Sequence, residues 1–409
     1  MRDELISLIK KIDIVREAGE ALLTGAKALN IFGLADTQKG CFLAALAGLR
    51  KNNGPLVFLL PGRDEVRNYR RELNYFYPEQ EMLELYPENL TQVRADAKNQ
   101  EVAAARIMAL RAMHAKDFSI TFVTAESLLQ RLPAAEAIFN SNLVVKVEDV
   151  VEQETLIAKL VKMGYERTEQ VEALGQFCLR GDIMDIYPIN EVDPVRIEWF
   201  DNNIDSVRSF DIKNQRALQV KNSVEIVSLG ITEKADNANI FEYLSAPATI
   251  IMDEPAKIFE TLRNLFGENV QDSARLFMPE EIMAACEKHG CLSVSALPHR
   301  FFSGQRTFTI PVRAVAPYNR NIDLLVSDLQ GWLNDGLSPL IMMGNIDKAK
   351  NIAESLKGRG LPAAYAQKDQ LLLPGQISVF AGELSAGFRS WGESWLLLTE
   401  NDIFGVQKK

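Results

Sequence analysis

Histidine is scarce in this chain, with three in 409 residues, and cysteine and tryptophan number four each. No histidine stands beside a nucleophile in a Ser-His-Asp or Cys-His arrangement. Cys41, Cys178, Cys286 and Cys291 are scattered, which suits reduced thiols in a cytosol. No apolar run approaches the ~18 residues that span a bilayer. The opening MRDELISLIKKID alternates charged and apolar residues at helical spacing and lacks the apolar core of a secretory signal. The expectation is a cytoplasmic protein with no membrane partner. A basic excess is missing too. Lys and Arg total 45 against 55 Asp and Glu, giving a net charge of −10 and a pI of about 5.1. A free-standing nucleic-acid binder would show the opposite balance.

One cysteine–histidine cluster invites a metal reading. Cys286, His289, Cys291 and His299 are spaced C-x2-H-x-C-x7-H, which matches no structural zinc pattern. EEIMAACEKHG reads instead as a helix end capped by Gly290. No metal and no cofactor is expected.

What is present is ordinary for a globular chain: 47% apolar and 24% charged residues. The length suggests two to four domains. The first ~130 residues alternate buried strands with amphipathic helices. PLVFLLP (55–61) is an apolar run between Gly54-Pro55 and Pro61-Gly62, and RDEVRNYRRELNYF (63–76) follows as a helix. EMLELY, then KNQEVAAARIMALRAM (98–113), then FSITFVTAE (118–126) continue the rhythm. Such βαβ alternation means a parallel sheet covered by helices.

From residue 143 to 221 the pattern becomes strands and hairpins. QFCLRGDIMDIYP (176–188) alternates faces, with Phe177 and Leu179 on one and Cys178 and Arg180 on the other. VRIEWFDNNIDSVRSFD (195–211) reads as two strands joined by the three-residue loop Asp201-Asn202-Asn203. The βα rhythm is expected to return at VEIVSLG and ATIIMDEP (248–255). A polar stretch at APYNRN (316–321) precedes a helix, a strand, a second helix and two more strands. The expected organisation is an α/β domain at 1–130, an inserted α+β domain at 131–220, the α/β domain's second part at 221–320, and a small C-terminal α/β domain at 321–409.

GLADTQKG (33–40) is a damaged match to the phosphate-binding loop GxxxxGK[ST]. Gly33 and Lys39 sit at their positions. Gln38 replaces the second glycine, where a bare backbone would curl under phosphates. Gly40 replaces the hydroxyl residue that binds magnesium. The context, a short apolar piece and then a helix, suits such a loop. TIIMDEP offers Asp253 for magnesium and Glu254 for a water. Three readings stand: a working nucleotide site, a decayed one, or an accident of sequence. The flanking context weighs against accident, and the two substitutions weigh against function.

These residues, in this order, resemble a family. A degenerate phosphate loop is followed by an insert carrying FxxRGDxxDIYP and RIEWFDNxIDSVRSFD, then by an Asp-Glu strand. The closing stretch is GELSAGFRSWGESWLLLTENDIFG. Together they resemble the N-terminal region of the bacterial transcription-repair coupling factors (Mfd), which is similar to the excision-repair protein UvrB. The resemblance implies a degenerate RecA/helicase-like sheet with an inserted domain. It implies a fragment that recruits UvrA without hydrolysing ATP. The full-length family protein is an ATP-dependent translocase whose other partners are RNA polymerase and double-stranded DNA. UvrA contacts carried over by position are Arg167, Phe177 and Arg180. UvrB has an arginine where this chain has Cys178. Phe177 also reads as a core residue. Arg167 and Arg180 also read as solvated charges. The alternative reading is a UvrB-like nucleotide-binding repair hydrolase with an unusual phosphate loop. Against it, LYPENLTQVRADAKNQEVAAARIM lacks the aromatic-rich hairpin of UvrB, and no second motor domain follows residue 320.

Overall fold

A computed structural model describes residues 1–23, 28–34, 36–49, 54–88, 97–229, 237–244, 248–298, 300–302, 306–367, 371–390 and 392–405. His299 and residues 89–96 of the hairpin comparison lie outside these. The fold is mixed α/β and divides into two compact units: 1–82 with 249–260 and 286–409, and 83–248 with 261–285.

In the first unit, parallel strands run in the order Arg306–Thr309, Leu29–Phe32, Leu292–Ser295, Thr249–Asp253, Leu56–Leu60. TIIMDEP therefore lies in the sheet that holds PLVFLLP and pairs with it directly. All five residues of Leu56–Leu60 are buried, as a parallel strand covered on both faces requires. The helix Arg63–Phe76 buries Val66, Tyr69, Leu73 and Phe76, an i, i+3, i+7, i+10 stripe. A second sheet of the same unit runs Val312–Ala314, Phe388–Ser390, Trp395–Thr399, Ser338–Met343, Ile377–Ala381, Ala363–Tyr365. Its core gathers Leu325, Leu329, Ile341, Leu356, Val379 and Leu398. Two contacts tie this region to the helices near the phosphate-loop segment. Glu72, only 2% exposed, accepts a hydrogen bond from the Ser385 amide at 2.9 Å, and the Phe42 and Phe388 ring centroids lie 5.2 Å apart.

The second unit holds a six-stranded sheet in the order Ala217–Lys221, Asn203–Phe210, Val195–Phe200, Ile183–Ile186, Gln176–Arg180, Glu166–Arg167. All pairs are antiparallel except the last. Its inner face is Phe177, Met184, Ile186, Val195, Ile197, Ile204 and Val207, all buried.

Two expectations change. The hairpin loop is two residues, not three, because Asn203 already pairs with Phe200; Asp201 supplies the left-handed backbone with φ 52°. VEIVSLG does not resume a parallel rhythm. Ser223–Ile226 pairs antiparallel with Leu143–Lys146. Its alternating exposure marks a half-covered strand rather than one buried on both faces.

Candidate functional site

The strand Leu29–Phe32 ends at Gly33, whose φ is 93°. Its amide donates to the Ser295 carbonyl at 3.2 Å, and a Cβ there would stand 2.6 Å from the Ile310 carbonyl oxygen. Backbone crowding is reason enough for this glycine. The helix Asp36–Ala47 begins three residues later, so residues 36–40 are already helical. Gly40 lies within the helix. A Cβ there would come 2.5 Å from Glu72 Cβ, so the missing hydroxyl residue is a glycine of close helix packing.

Lys39 is 0% exposed. Its Nζ donates to Asp253 Oδ1 and to Glu254 Oε1, each at 2.7 Å. Glu254 sits at φ 46°, outside the usual region for its type, and its Oε1 also accepts from the Ala296 amide at 2.7 Å. Burial works against the lysine charge, but the two carboxylates more than offset it and hold Lys39 above its ordinary range. The structure thus gathers Lys39, Asp253 and Glu254 into one ion cluster, with Gln38 buried beside the lysine. Groups that would grip phosphate and magnesium instead grip each other.

Of the cysteine–histidine cluster, Cys286, His289 and Cys291 lie among the described residues and His299 does not. Cys286 and Cys291 are buried, with Cys291 Sγ donating to the Cys286 carbonyl at 3.5 Å, while His289 is exposed on the helix Pro279–His289. Among the described residues no group of three or more His, Cys, Asp and Glu side chains is placed to hold a metal.

On the inserted sheet, Arg167 is exposed and pairs in register with Phe177. Phe177 is completely buried, which leaves its ring no exposed surface for direct contact. Cys178 is buried as well. The clean inside–outside alternation drawn from the sequence holds only from Leu179 onward, because both faces are covered at the start of this strand. The Arg180 side chain is 52% exposed and is not idle: its Nη2 donates to Asp185 Oδ2 at 2.8 Å.

Asp185 was missed by sequence reasoning, and so was Arg196. Arg196 donates through Nε to Asp185 Oδ1 at 2.6 Å, through Nη2 to Asp185 Oδ2 at 2.8 Å, and to Gln215 Oε1 at 2.8 Å. Its guanidinium also stacks over the Phe210 ring, 4.6 Å from the centroid. The hydrogen bonds to Asp185 raise the Arg196 pKa further. Glu198 accepts from Ser206 Oγ at 2.7 Å and pairs with Arg208. A signal existed: hairpin register sets Asp185 across from Arg196, and period-two spacing adds Glu198 and Arg180 to the same face. This face is a lattice of charged side chains held by their neighbours.

Residues 143–229 match the family model described as the UvrB interaction domain. The chain is 23% identical to the transcription-repair-coupling factor of Bacillus subtilis (strain 168), over 100% of its own length and 41% of the relative's. It is 21% identical to that of Staphylococcus aureus (strain USA300), over 99% and 40%. The chain is a relative of the transcription-repair-coupling factors. It spans about two fifths of the length of these curated relatives. No described helix is long and apolar enough to cross a membrane.

Proposed function

We propose that this chain is a non-catalytic recruitment module that binds UvrA through the outer face of its inserted sheet, in transcription-coupled nucleotide excision repair. The observation that carries the reading is the position of Arg180, half exposed and held by Asp185, inside the segment that matches the UvrB interaction domain. A guanidinium fixed on a strand is pre-organised to offer its outer edge to a partner carboxylate. In this reading Arg167 lies at the sheet's margin as a second contact, and Phe177 holds the strand in place. The longer protein would supply the ATP-driven translocation and the contacts with RNA polymerase and double-stranded DNA.

The same reading makes residues 33–40 a decayed nucleotide site. The buried cluster of Lys39, Asp253 and Glu254 supports this, since Mg·ATP binding would require breaking it. Two measurements test the proposal. Calorimetry should give a complex with UvrA that Arg180→Ala weakens about tenfold or more, and no heat with millimolar Mg·ATP. Wild-type affinity in the Arg167→Ala, Arg180→Ala double variant would remove the assigned surface. Magnesium-dependent hydrolysis lost in Lys39→Ala would instead establish the hydrolase reading.

A further inference from the structure

Among the described residues no strand lies beyond Ala217–Lys221 in the six-stranded sheet. Residues 217–220 of this edge are all exposed, Leu218 at 54% and Val220 at 78%. A bulge opposite Ser209 and Phe210 leaves Leu218 without a cross-strand partner and turns it outward. Lys221, which could guard the far end, is engaged by Glu191 at 2.5 Å. Beside Glu191 stands Val192, exposed at 88%. Folded proteins usually guard such edges with proline, lysine, bulges, inward-pointing charge or cover, and the bulge here stops short of Gln219 and Val220, which stay in register. Gln219 and Val220 carry none of these.

Charge indicates the occupant. Ile212 to Asn222 contains Lys213, Arg216 and Lys221 and no acidic residue, in a chain of net charge −10. Lys213 and Arg216 are exposed. A second copy of the chain would bring this basic segment against itself. An acidic segment would meet complementary charge.

We propose that Ala217–Lys221 is an open pairing edge that takes an extended, acidic segment of another protein as an added β-strand. Main-chain hydrogen bonds supply the affinity of such additions, and alternate side chains supply selectivity. Here the incoming apolar side chains would cover Leu218 and Val220, and its carboxylates would meet Lys213 and Arg216. The edge is separate from the UvrA reading. Arg180 lies four strands away across the sheet, roughly 19 Å at the usual strand spacing.

The probe is a blocked octapeptide alternating valine with glutamate, with its valine–lysine counterpart as control. Binding to the full chain is followed by fluorescence anisotropy, and amide protection by hydrogen–deuterium exchange. The acidic peptide should bind and slow exchange at residues 217–221. Val220→Glu and Leu218→Glu should each weaken it at least tenfold while leaving thermal unfolding unchanged. Equal binding of the lysine peptide, unchanged exchange at 217–221, or no binding up to millimolar peptide would overturn the proposal. So would a concentration-dependent dimer in sedimentation that Val220→Glu abolishes, because the occupant would then be a second copy.

Discussion

Lys39 keeps its charge in a dry interior because Asp253 and Glu254 face it at 2.7 Å. Removing one member of a buried ion cluster strands the rest and typically costs about 3–5 kcal/mol. Lys39→Met should therefore lower the urea midpoint of the unit that contains it. The folded lysine pKa is raised, so its contribution is complete below the ordinary lysine value and is lost only as pH rises through the folded value. On the lysine's account, the gap between Lys39→Met and wild type should stay level from pH 5 to 9. Glu72 behaves differently. Burial raises its pKa, partly countered by the Ser385 amide and by Arg71, and Glu383 adds repulsion. An acid with a raised folded pKa favours folding below its ordinary value and loses that contribution as pH climbs through the folded one. Glu72→Gln should raise the melting temperature at pH 8 and change it little near pH 4.5. At this scale the sequence was half legible. Spacing named Lys39, Asp253 and Glu254, because a strand–loop–helix segment and an Asp-Glu strand end are local patterns. That the ammonium would bond the carboxylates was not legible, because it depends on two strands more than two hundred residues apart in sequence meeting in one sheet.

A helix with a strong period was read to the residue, Arg63–Phe76. What escaped were elements whose polarity hides them. Arg306–Thr309 lies in the parallel sheet beside Leu29–Phe32 although three of its four residues are polar. The inserted sheet also misleads at Cys178, where burial on both faces overrides alternation. Two substitutions separate packing from function at this level. Phe177→Ala should destabilise by about 3–5 kcal/mol, as removal of a fully buried phenylalanine does, whereas Arg180→Ala should leave unfolding almost unchanged and weaken only UvrA binding. Gly40→Thr, which restores the phosphate-loop hydroxyl on paper, forces a Cβ into Glu72 of the neighbouring helix. It should cost about 1–3 kcal/mol, as overpacking does, and should yield no ATP turnover when combined with Gln38→Gly.

Across the whole molecule, the parallel sheet is interleaved: Thr249–Asp253 is inserted between Leu56–Leu60 and Leu292–Ser295. The fold class was legible because strand–helix alternation has one common solution. This interleaving was legible only through the Asp-Glu strand, which demanded a place beside the phosphate loop. The arrangement sets a clock. On a ribosome, Leu56–Leu60 must wait for ~190 more residues before Thr249–Asp253, its partner on one side, exists, on the order of 10–40 s at ordinary synthesis rates. The hairpin of Val195–Phe200 and Asn203–Phe210 needs no such wait, since its partners are adjacent and closing a short loop takes little time. Pulse-labelled hydrogen exchange during refolding should find amides of residues 195–210 protected well before those of 56–60 and 249–253. The six-stranded antiparallel-rich sheet would then have its central hairpin formed on the nascent chain while the older sheet, begun first, was still unfinished.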